Sequence, residues 1–74
     1  MISKLEIEQF NHFIERVKNS NDDMEKEVNM MKAVLKELKR EENLRHETIH
    51  VMKSIGELMP GYPELQEFIK TATG

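Results

Sequence analysis

Apolar residues recur at intervals of three and four along the first half of the chain, at Ile7, Phe10, Ile14 and Val17 and again at Met24, Val28, Met31, Leu35 and Leu38. That spacing returns a side chain to the same side of a helix once per turn, so these segments predict helices that each bury one stripe. The fold class that follows is all-α: a small helical bundle with coiled-coil-like hairpin packing. Asn21 stands where the repeat calls for a further apolar side chain.

At 74 residues, folding hides only about 60% of the unfolded surface, and the stripes lie on more than one side. A second copy is therefore expected to help cover them, as a homo-oligomer with a dimer favoured. The net charge of −3 gives no general attraction for nucleic acid or anionic lipid. Without cysteine there is neither a disulfide nor a thiolate metal site, which fits a reducing cytoplasm. The opening Met1–Glu6 lacks the basic flank and apolar run of a secretory signal, and no stretch reaches the roughly 20 apolar residues of a membrane span. A cytoplasmic protein with no membrane contact is expected.

Ser3 followed by Glu6 is a capping box, with Ile2 and Ile7 placed as a hydrophobic staple, and predicts a helix over 3–18. The run Lys18–Asp23 holds side chains that compete for backbone hydrogen bonds and favour turns. Asp22 with Glu25 repeats the capping signature, so the next helix is expected over 22–42. The rival is an unbroken helix in which Asn21 sets coiled-coil register. Beyond Leu38 the apolar face changes sides: Leu44, Thr48, Val51, Met52, Ile55 and Leu58 lie roughly 140 to 200° round from the earlier stripe. Either the chain turns near residues 39–43, with Asn43 in a left-handed cap and a third helix over 44–58, or one rod spans 22–58 and needs a second chain. The turn is favoured. Pro60-Gly61 suits a type II turn within 59–63, and Pro63 opens a last helix over 63–71 whose apolar edge is Leu65, Phe68, Ile69 and Ala72. About ten residues hold no helix alone, so this one must dock.

His46-Glu47-Thr48-Ile49-His50 matches the H-E-x-x-H pattern in which two histidines one turn apart hold zinc and the glutamate acts as general base. Glu42 shares a face with His46 and His50, and Glu64 or Glu67 is a third ligand only if the last helix folds back. Two histidines on a hydrated helix face explain the same residues, so no metal and no cofactor is expected; any metal would use His46 and His50 with Glu42 or Glu47. The ridge Lys32, Lys36, Lys39 and Arg40 could touch phosphates, but glutamates crowd it and no aromatics interleave, so a solvated face is the better account. Six methionines fit a core or a pliable interface.

The function these features point to is non-catalytic: an adaptor, chaperone-like partner or inhibitor that occupies a surface of another macromolecule and binds copies of itself. Its expected interface is Phe10, Phe13, Met31, Leu35, Leu38, Leu65, Phe68 and Ile69. The alternatives are a metal-binding protein or minimal zinc hydrolase on His46, Glu47 and His50, and a weak nucleic-acid binder through Lys32–Arg40.

Overall fold

The first four N–H groups of a helix have no partner inside it, and Ser3 and Glu6 supply them in the capping box that the sequence predicts. The Ser3 hydroxyl accepts from Glu6 N at 3.1 Å, and the Glu6 carboxylate accepts from Ser3 N at 3.0 Å. In the computed structural model, which describes residues 2–41 and 44–74, this cap opens helix α1, Lys4–Ser20. The helix ends two residues past the expected 18, and Asn21 then leaves helical geometry with its N–H still donating to Val17 O at 3.0 Å. Its side chain accepts from Asp23 N at 3.1 Å and starts a single 3-10 turn, Asp22–Met24.

Asn21 therefore punctuates rather than sets register, and it is solvent-exposed. The Asp22–Glu25 capping signature is not what opens the second helix. Asn21 takes the capping role one residue earlier, and α2, Glu25–Arg40, begins after Met24 with no side-chain cap.

Glu41 is extended, its N–H closing α2 onto Glu37 O at 2.9 Å, and α3 is His46–Leu58. Both helices stop about two residues short of the expected 42 and 44, and the proposed Asn43 cap lies outside the described residues. A rod from 22 to 58 would measure about 55 Å; the longest dimension of the molecule is 31 Å, the others 21 and 19 Å. The chain turns. After Pro60-Gly61 it resumes as α4, Pro63–Thr73, with proline in the first turn where its missing N–H costs nothing. A type II turn needs a positive φ at its third residue, and among the described residues no glycine has one. The turn takes another form, held by Met59 buried in the core on one side and Tyr62 against Phe13 on the other.

Each helix packs antiparallel on the next, and α4 closes the ring against α1, so that Phe10 meets Phe68 while Arg16, further along α1, meets the earlier Glu64. The interior is Ile14 from α1, Met31 and Val34 from α2, Met52 and Ile55 from α3, and Leu65 from α4, all nearly inaccessible. The phase change beyond Leu38 has a simple outcome, because the chain turns and the α3 stripe faces the same interior from the neighbouring position in the ring. The accessible area is 5203 Å², against about 4,700 Å² for a typical folded monomer of this mass. The radius of gyration is 11.2 Å, against about 11.3 Å for a compact chain of this length. Most residues of the apolar stripes are buried within this one chain. Among the described residues no helix is long and apolar enough to cross a membrane.

Candidate binding face

Three polar clasps hold neighbouring helices in place, and they decide which surfaces are left free. Between α2 and α3, Arg45 donates from Nε to Glu37 Oε1 at 2.6 Å and from its backbone N to Oε2 at 3.2 Å. The carboxylate thus sits at the positive start of α3. Hydrogen bonding from the Thr48 hydroxyl, then from Arg45, holds the Glu37 carboxyl below its ordinary value. Between α3 and α4, Gln66 Nε2 donates to Gly56 O at 3.1 Å and Met59 O at 3.0 Å, satisfying carbonyls that the end of α3 leaves open. Between α1 and α4, one nitrogen of Arg16 straddles Glu64 Oε1 and Oε2 at 2.6 and 2.7 Å, with its guanidinium 5.8 Å from the Phe13 ring centre.

The groove between α1 and α4 is built differently. Phe10 and Phe68 stack nearly parallel, with ring centres 4.3 Å apart and an 11° interplanar angle. Phe10 is buried and Phe68 only half-buried, so one face of the pair is part of the core and the other is open. Together with Leu65 they floor a hollow of about 210 Å³ whose rim carries Glu6, Glu64 and Glu67. Glu6 is held in its charged form by the backbone and then the hydroxyl of Ser3, which lower its carboxyl from the ordinary value.

Of the expected interface residues, Phe10, Phe13, Met31, Leu35, Leu38, Leu65 and Ile69 are buried in the chain's own core. They are packed against the other helices as part of the core. Phe68 alone of the eight stays partly open. The closed ring of four helices turns the other seven side chains inward and leaves Phe68 at the edge of the α1–α4 groove. Met31, Met52 and Met59 are likewise interior, while Met24 and Met30 are half-buried at its edge.

His46 and His50 are exposed on α3, rings edge to face with centres 4.8 Å apart, and Glu47 between them is exposed too. Among the described residues no group of three His, Cys, Asp or Glu side chains converges as a metal site requires. Glu64 is engaged by Arg16, and Glu42 lies outside the described residues. Lys32, Lys36, Lys39 and Arg40 are all exposed on α2.

Glu37 and Gln66 were not singled out by the sequence reading. For Glu37 a signal existed: it follows Val34 by three and so lies on the same side of α2 as that apolar residue. For Gln66 there was none, since its role depends on where α3 ends. Comparison with protein-family models, with curated proteins and with solved structures finds no match.

Proposed function

We propose that the chain is a non-catalytic protein-interaction module, an adaptor, chaperone-like partner or inhibitor, that works by occupying a surface of another protein through its α1–α4 groove. The observation that carries this reading is the half-open aromatic pair. Phe68 is a large ring left accessible above a buried one, and aromatic side chains are enriched at the cores of protein interfaces. Two further leucines, Leu5 at 63% and Leu58 at 47%, are exposed on α1 and α3. A floor of this kind on a rigid scaffold needs little reordering when a partner arrives.

Selection of binders from a displayed peptide library against the folded chain tests the reading. Binders are expected to compete for one face and to lose at least tenfold in affinity on Phe68→Asp, with helix content by circular dichroism changed much less. Binders that scatter over the surface, or that ignore Phe68→Asp, would overturn it.

A further inference from the structure

We infer that the α1–α4 groove takes a basic amphipathic helix of a partner protein, about two turns long, with an aliphatic or aromatic anchor pair and Lys or Arg beside it. The inference rests on the α1–α4 face being the binding face and adds the chemistry of its occupant. Size argues against a small-molecule occupant. A hollow of about 210 Å³ is smaller than the roughly 300–1,000 Å³ of small-molecule sites, and holds one or two side chains. Along α1 the lining runs from Glu6 to Phe13 and along α4 from Glu64 to Thr71, about 10 Å in each case, which is two turns of a docked helix. Among the described residues there is no strand and so no sheet edge to extend, and a groove between two helices accepts the ridge of a third.

Charge then selects among helices. The rim presents the carboxylates of Glu6, Glu64 and Glu67, and no Lys, Arg or His lines the hollow. Arg16 neutralises Glu64 alone, from outside it. The field over the aromatic floor is negative, so a segment with cations beside its apolar anchors is drawn in and an acidic one is repelled. The same charges disfavour a second copy related by a two-fold axis, because that pairing would set carboxylates against carboxylates.

The experiment reads composition and salt response from the library selection, using the intact chain labelled with 15N to map where each peptide sits. Peptides that perturb the amides of Gln9, Glu67, Phe68 and Thr71 are expected to be enriched in Lys and Arg, with apolar residues three or four apart. Their affinity is expected to fall as ionic strength rises past about 0.15 M. Glu67→Lys, an exposed change remote from the core, is expected to weaken them roughly fivefold with thermal stability unchanged. Groove-binding peptides that are acidic or uncharged, or that ignore Glu67→Lys, would overturn the inference and leave the docking reading standing. So would concentration-dependent self-association abolished by Glu67→Lys, since a second copy would then be the occupant. If no peptide perturbs the groove, both fall.

Discussion

Met31 is completely enclosed, at 0% exposure, where the stripe of α2 meets the rest of the core. Truncating it leaves a void that the surrounding rings and branched chains fill only in part, so Met31→Ala is expected to cost about 2–5 kcal/mol, read by chemical denaturation with an unchanged slope. A loss below about 1 kcal/mol would mean that the site is not packed as described. Glu37 makes a different contribution, through charge. Its carboxyl is held below the ordinary 4.5 by Thr48 and Arg45, and a group whose folded value is depressed stabilises the fold above the unfolded value and loses that contribution as pH falls through the folded one. Thermal stability should therefore drop as pH falls below about 4.5. Glu37→Gln should lower it at pH 7 and flatten that part of the acid limb, Glu6 keeping its own share of the limb because its carboxyl is depressed as well. An acid limb identical in the variant would remove the clasp from the account.

Gly56 sits inside α3 where α4 crosses closely. A Cβ there would meet Ile69 Cδ1 at 3.1 Å and Gln66 Oε1 at 3.5 Å, both at the ends of side chains that can give by a few tenths of an ångström. Gly56→Ala is thus expected to be tolerated, gaining up to about 1 kcal/mol of helix propensity. Gly56→Leu must push α4 away and is expected to cost about 1–3 kcal/mol, together with loss of peptide binding at the α1–α4 groove. Thermal melts of both variants check this, and equal stability for the two would contradict the close approach. The helices themselves were legible because their signals are local. Ser3 with Glu6 starts one, the Asn-rich run after Lys18 ends it, and Pro63 starts the last. Their outer boundaries shift because a boundary depends on distant partners: α3 begins at His46, just beyond the Arg45 N–H that Glu37 takes, eight residues back. The groove was legible only as Phe68. That Phe10 and Leu65 would be its floor rather than its contact surface depends on α4 folding back to α1, which no spacing along the chain encodes.

On the scale of the molecule the sequence offers more apolar stripes than a single rod could cover, and the ring buries the greater part of each, leaving Leu58 exposed and Phe68 half-open. Closure leaves, among the described residues, an aromatic-floored, acid-rimmed groove between α1 and α4. The core is shared by all four helices, with Leu65 and Ile69 of α4 inside it, so the account has no room for a stable long hairpin that recruits a partner to finish its interior. Small-angle X-ray scattering over a concentration series tests this most directly. The account predicts the mass of one 8.7 kDa chain, a radius of gyration within about 2 Å of 11.2 Å, and no change with concentration. An elongated particle of twice that mass, with a longest dimension of about 55 Å or more, would contradict it.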